Sequence, residues 1–170
     1  MEFDYEVTEE DYIKYNIYHS KNSPSQKRML FIIRYIFPAV LSPAIFFIGL
    51  YLTKESTVFW GIIALGYAAF WIMTYPRQHV RILKKQIKRL LAEGSNSLYF
   101  GSKKMIIDDK SIKIINDQMS SETIAKKNII SVKVYEDMIL IYVSSIMAHI
   151  IPRRYLDEQA EANLLSAINK

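Results

Sequence analysis

Residues 51–57 read YLTKEST, and Lys54 and Glu55 within them are the only charged side chains between Arg34 and Arg77. Before this pair, residues 35–53 run nineteen positions without a charge, and after it residues 56–76 run twenty-one. Either stretch spans roughly 30 Å as a helix, about the thickness of a bilayer's hydrocarbon core. A helix packed in a soluble core keeps a polar face, and neither stretch has one. The expectation is a transmembrane helical hairpin, with spans at about 35–53 and 56–76 and TKES as its wet tip. Tyr35 and Tyr75 fall at one interface and Tyr51, Phe59 and Trp60 near the other, as amphipathic rings prefer. Pro38 and Pro43 would break a water-exposed helix, but in lipid they are tolerated where neighbouring groups re-satisfy the freed carbonyls. Ala64 and Ala68 have small-residue spacing for close helix packing.

Charge sets the expected orientation. Between residues 77 and 93 there are six basic side chains against one acidic, which accounts for the whole net charge of +5. Lys27, Arg28 and Arg34 precede the hairpin on the same side, whereas the tip carries only Lys54 beside Glu55. By the positive-inside rule both termini face the cytoplasm. The opening MEFDYEVTEED is acidic and lacks the basic-then-apolar order of a secretory signal, so no cleaved signal is expected. Cysteine is absent, which removes disulfides, thiolate nucleophiles and Cys-based zinc sites together. An apolar fraction of 51% excludes a disordered chain.

Four segments are expected. Residues 1–22 form a cytoplasmic strand, about 2–7, and a helix, about 9–20, with Thr8 as N-cap and Asp11 in the box position. Residues 23–76 are the hairpin, whose first helix restarts at Ser23 as N-cap with Pro24 at the first helical position. Residues 77–97 are a basic amphipathic helix ending at Gly94. Val80, Leu83, Ile87, Leu90 and Leu91 make its apolar stripe, and Arg81, Lys84, Lys85 and Lys88 line another face. Those four cations either clamp anionic headgroups or set topology while the stripe packs on the following domain.

From residue 98 the hydrophobic period becomes two. Turn pairs at Asp109-Lys110, Asp117-Gln118, Lys127-Asn128, Glu136-Asp137 and Ser144-Ser145 separate about six short strands. Ile130, Val132 and Val134 alternate with Ser131, Lys133 and Tyr135, as a strand with one buried face would. A last helix starts at Asp157 and repeats Ala160, Leu164, Ala167 and Ile168. Residues 98–170 are thus expected to be an antiparallel meander, curled into a barrel or sandwich and closed by a C-terminal helix. That is the outline of a pleckstrin-homology-like domain, and the fold class is an α+β membrane protein. The acidic TEEDY opening, the two-helix hairpin and the closing IIPRRYL before a helix resemble the YcxB-like family of bacterial membrane proteins over nearly the whole chain. The family's Asp-Asp-Gly turn stands here as Asp108-Asp109-Lys110. The resemblance implies a pleckstrin-homology-like fold on a bacterial plasma membrane and no assigned reaction.

No catalytic set emerges. His19, His79 and His149 lie in three different elements, so a metal site would need an improbable convergence. Adjacent Asp108 and Asp109 suit a turn, Gly94 and Gly101 are isolated, and the Ser-Ser pairs have no partnered His. No cofactor is expected. Of Arg153 and Arg154, after Pro152, one reaches an acidic partner or lipid phosphate while the other supports the fold, or else both are solvated or one pairs with Asp157 or Glu158. Nucleic acid is a poor fit for a basic helix tied to a bilayer. The expected role is a non-enzymatic, membrane-anchored interaction or regulatory module whose partners are proteins or copies of itself. The alternatives are an anionic-lipid headgroup sensor and an accessory subunit of a membrane transporter or enzyme. The uncharged spans weigh against the last, because transport paths usually need ionisable groups.

Overall fold

The first strand of the chain finds its partner ninety-four residues away. In the computed structural model, which describes residues 1–94, 99–117 and 120–168, β1 (Glu2–Val7) pairs antiparallel with β2 (Gly101–Ile107), Val7 facing Gly101 and Glu2 facing Ile106. β3 (Ser111–Asn116) and β4 (Ser121–Ala125) continue the meander, giving a four-stranded sheet in the order β1-β2-β3-β4. A three-stranded antiparallel sheet holds β5 (Ser131–Val134), β6 (Met138–Tyr142) and β7 (Ala148–Pro152). Helix α5 (Glu158–Ile168) follows. The chain is therefore α+β, with antiparallel sheets of seven strands among the described residues and a C-terminal helix. Gln118 of the expected Asp117-Gln118 turn and Leu98, where the period was read to change, lie outside the described residues.

Backbone contacts divide the chain into two units, one of Met1–Asn16 with Leu90–Lys170 and one of Ile17–Arg89. The β unit owes its core to period-two burial. Tyr5 and Val7 of β1, Met105 and Ile107 of β2, and Ile112 and Ile114 of β3 are at most 6% exposed. All five residues of β6 are buried, so the central strand of the smaller sheet is covered on both faces. Leu164 and Ile168 of α5 complete the core as its stripe predicts, and Asp157 caps that helix by accepting from Ala160 N–H at 2.6 Å. Helix α1 (Glu9–Asn22) opens with the expected box: Asp11 N–H donates to Thr8 Oγ1 at 3.3 Å, and Thr8 N–H donates back to Asp11 Oδ2 at 2.9 Å.

Two local expectations are corrected. Ile130, just before β5, is 66% and Val134 47% exposed, and Ser131, Val132 and Lys133 are half-buried alike, so β5 has no buried apolar face. β5 is the edge of its sheet, and an edge strand can run past the layer that covers the centre. Ser23 does precede helix α2 (Pro24–Phe31), but its hydroxyl bonds Ser25 Oγ at 3.0 Å and caps no helix N–H. Pro24 has already removed one donor that would need a cap.

The other unit contains two long apolar helices. The chain is helical from Pro24 to Leu52 through α2, a π-helical turn at Ile32–Ile36 and α3 (Phe37–Leu52), and again through α4 (Thr57–Ala92). Both are long and apolar enough to cross a membrane, with only 6% of their most apolar stretches buried. Lys54 and Glu55 are exposed in the four-residue connection, at the tip of a helical hairpin as expected. Thr53 Oγ1 donates to Gly49 O at 2.9 Å and accepts from the Trp60 indole at 2.8 Å, and Ser56 Oγ caps α4 through Phe59 N–H at 3.2 Å. The tight approach of the two helices is at Gly49, where any Cβ would collide with the Trp60 ring. Ala64 is buried and Ala68 half-buried.

Each long helix also repairs the proline defect of the other. In the π-helical turn Phe37 N–H donates to Ile32 O, so the next donor in that register would belong to Pro38, which has none. The Ile33 carbonyl left open accepts instead from the Trp71 indole at 2.9 Å. Pro76 inside α4 likewise frees the carbonyl of Ile72, and Arg34 Nε donates to it at 3.1 Å. Such carbonyls are satisfied by neighbouring side chains wherever water is excluded.

Candidate functional site

The residues singled out from sequence fall into two groups that differ in whether their charge is already engaged. On α4, Arg81, Lys84, Lys85 and Lys88 are spaced three, one and three residues apart, which places them on one side of the helix. All four are exposed, and none makes an ion pair among the described residues. Between them Ile87 is 6% exposed and Leu83 half-buried, whereas Leu90, expected in the same stripe, is 65% exposed.

Arg153 and Arg154 are engaged inside the β unit. They lie in a single 3₁₀ turn, Arg153–Tyr155, between β7 and α5. Arg153 Nε donates to Glu161 Oε2 at 2.8 Å and its Nη1 to the carbonyls of Tyr135 and Glu136, both at 3.2 Å, tying the β5–β6 turn to α5. Arg154 grips Asp11 bidentately, Nη1 to Oδ1 at 2.8 Å and Nη2 to Oδ2 at 2.7 Å, and also donates to Glu6 O at 3.0 Å. The expected partners, Asp157 and Glu158, are thus replaced by Glu161 and Asp11. Asp157 spends its carboxylate on the α5 cap, and Glu161 stands one turn further along. Burial alone would raise the Asp11 carboxyl, but the Arg154 guanidinium and the two Thr8 hydrogen bonds outweigh it and hold the group below the usual carboxylate range. Arg154 thus holds the N-terminal strand and helix to the C-terminal turn, while Arg153 fixes the β5–β6 turn against α5.

His149 on β7 is half-buried with its Nε2 fully covered, making no hydrogen bond among the described residues and standing 3.7 Å from Glu122 Oε1 of β4. Burial pushes its pKa down, with Lys103 nearby adding to the effect and Glu122 opposing it. His79 lies in the other unit, 3.2 Å from Ser20 Oγ through its Nε2. Among the described residues no three His, Asp or Glu side chains converge as a metal set. The Asp108-Asp109 pair sits in the β2–β3 turn, where Asp108 N–H donates to Ser111 O at 2.9 Å.

The hairpin unit contains a cavity of about 140 Å³ that the sequence reading did not anticipate. Ile17, Leu30, Tyr75, Pro76, Val80 and Leu83 line it with mostly apolar surface, and Ser20, Lys21, Arg34 and His79 supply its polar groups. Its sequence signal is indirect: Pro76 one residue before the basic run, and Arg34 one residue before the first uncharged stretch. Comparison of the chain with family models, with curated proteins and with solved structures finds no match.

Proposed function

We propose that this chain is a non-enzymatic, membrane-anchored interaction or regulatory module of the cell membrane. The hairpin crosses the bilayer twice, both termini are cytoplasmic, and the β unit is presented at the cytoplasmic face. The observation that carries the reading is the pairing of two features in α3 and α4. Their outward side chains are apolar and exposed, Leu52, Val58, Leu65 and Met73 each above 70%, while the carbonyls freed by Pro38 and Pro76 are capped from within. A contiguous apolar surface of that extent is not left to water, and internal capping is what hydrocarbon demands. A four-stranded and a three-stranded antiparallel sheet followed by a helix support a pleckstrin-homology-like β unit, and with it the YcxB-like resemblance. In such a unit the first strand is separated from the second by the membrane hairpin. The β5 edge, which pairs with no further strand among the described residues and leaves Ile130 and Val134 exposed, supports a protein partner or a second copy as what it meets.

The test uses the absence of cysteine. Lys54→Cys and Ser102→Cys, both at exposed positions, are each introduced into the full chain and treated in intact cells with a membrane-impermeant thiol reagent. Labelling is expected at position 54 alone. Labelling at both positions, or at 102 alone, overturns the orientation, and full chain recovered in the supernatant after high-speed centrifugation overturns the anchoring.

A second reading is favoured by the four exposed cations of α4, which make no ion pair among the described residues. Arg81, Lys84, Lys85 and Lys88 would sense anionic headgroups, each contributing about 1 kcal/mol near a charged surface. Replacing the four by Gln should then remove the dependence of vesicle association on anionic lipid and on salt.

A further inference from the structure

We infer that the cavity between the end of α1, the start of the first long helix and α4 seats one bilayer phospholipid with an anionic headgroup. The inference rests on the membrane-anchored reading and adds to it a site and a ligand class.

Size excludes a whole drug-sized molecule. Pockets that enclose one measure about 300–1,000 Å³, and this cavity measures about 140 Å³. What fills it is therefore part of something larger, whose remainder continues outside. A lipid meets this condition, with its phosphate and glycerol region held and its chains left in the bilayer.

The walls and the charge agree. Ile17, Leu30, Val80 and Leu83 offer methyl and methylene surface. Two cations reach the same space, and no acidic residue lines it. Lys21 is exposed at the rim and makes no ion pair among the described residues. Arg34 is half-buried, its Nε fixed on Ile72 O at 3.1 Å and its guanidinium set 5.0 Å over the Tyr35 ring. That grip orients the side chain while its two terminal nitrogens keep their donors, the geometry that suits a phosphodiester. Ser20 Oγ, held beside His79 Nε2, adds a hydroxyl next to the cations. The half-buried Arg34 guanidinium, with the Lys21 ammonium nearby and no acidic residue in the lining, favours an anion in the cavity.

Position along the helices selects the source of that anion. Arg34 immediately precedes the first uncharged stretch, and Pro76 ends the second. On the anchored reading both mark the interfacial layer, where lipid phosphates lie.

The experiment uses full-length chain reconstituted in vesicles of equimolar phosphatidylcholine and phosphatidylglycerol. The protein is extracted in mild detergent, and retained phospholipid is counted by native mass spectrometry. One retained phosphatidylglycerol per chain, in clear excess over phosphatidylcholine, is expected. Leu83→Trp, which fills the cavity without changing charge, should abolish retention. Lys21→Gln, an exposed change that leaves the fold alone, should weaken retention about fivefold, the worth of one interfacial cation. Retention of the two lipids in the proportion supplied overturns the inference, as does unaltered retention by Lys21→Gln. Should Leu83→Trp fail to give native helical circular dichroism, Lys21→Gln decides alone. Chain that inserts in the vesicles without selective retention refutes only the cavity's role. Chain left in the aqueous fraction refutes the anchoring beneath it.

Discussion

Trp71→Phe offers the sharpest test of how the hairpin is held. The substitution keeps an aromatic ring against Phe37, 5.0 Å away, and Tyr75, stacked at 5.8 Å, and removes the indole N–H that donates to Ile33 O at 2.9 Å. Side-chain hydrogen bonds between membrane helices average about 0.6 kcal/mol and reach about 1.7. The Ile33 carbonyl should lie near the upper figure, because Pro38 denies it the backbone donor that would otherwise replace the indole. We expect a loss of about 1.5 kcal/mol, roughly tenfold in the unfolding constant. The smaller ring also loses packing, and a double-mutant cycle separates the two effects. Pro38→Ala restores a backbone N–H in the register that ends at Ile33, so in that background Trp71→Phe should remove packing alone. The assay is reversible unfolding of the full chain in mixed micelles titrated with dodecyl sulfate, followed by far-ultraviolet circular dichroism. A coupling of about 1 kcal/mol between positions 38 and 71 is expected. Additivity within about 0.3 kcal/mol would refute the reasoning, because the indole would then not be standing in for the missing donor.

Three further outcomes follow from other parts of the structure. Gly49→Ala places a Cβ inside the Trp60 ring and should destabilise the hairpin by about 1–3 kcal/mol in the same micelle assay, whereas Gly66→Ala, which meets nothing within 4 Å, should be neutral or slightly stabilising. Arg154→Ala strands the Asp11 carboxylate, 3% exposed, and should lower the stability of the β unit by about 2 kcal/mol; this is discounted from the 3–5 of a fully buried pair because the Arg154 side chain is 44% exposed. A cycle with Asp11→Ala that found no coupling would refute that role, with hydrogen-exchange protection of β1 as the readout. The third concerns pH. His149 has a folded pKa below its ordinary value, so as pH falls through about 6.5 the unfolded chain takes up a proton that the folded chain refuses. The stability it lends is complete above that pH and declines below it. His149→Gln should flatten the fall in urea midpoint between pH 7 and 5.5, and an unchanged slope would point to other groups.

Much of the architecture is legible in the residues because its causes are local. Two uncharged stretches on either side of Lys54-Glu55 set the hairpin, and the turn lies where the charges are. The Thr8-Asp11 box and the Asp157 cap were readable because each donor and acceptor lies within three residues of its partner. The strands from β2 to β7 follow the turn pairs for the same reason. What failed to show was whatever depends on a distant segment. Ile130 and Val134 have the alternation of a buried face, but alternation cannot say that β5 is an edge. The arginines looked toward Asp157 and Glu158 because those are nearest in sequence, while Arg154 found Asp11, 143 residues away.

The amino-acid order by itself determined which stretches are apolar and uncharged, where helices begin, and on which side of α4 the cations stand. All of these follow from a side chain's own polarity or from bonds within a single turn of backbone. Tertiary structure alone decided that β1 pairs with β2, that Trp71 and Arg34 cap the carbonyls of Ile33 and Ile72, and that a cavity opens beside Pro76. A proline in the sequence announces that a carbonyl has lost its donor. Only folding, which brings positions 38 residues apart within hydrogen-bonding distance, chooses the group that replaces it.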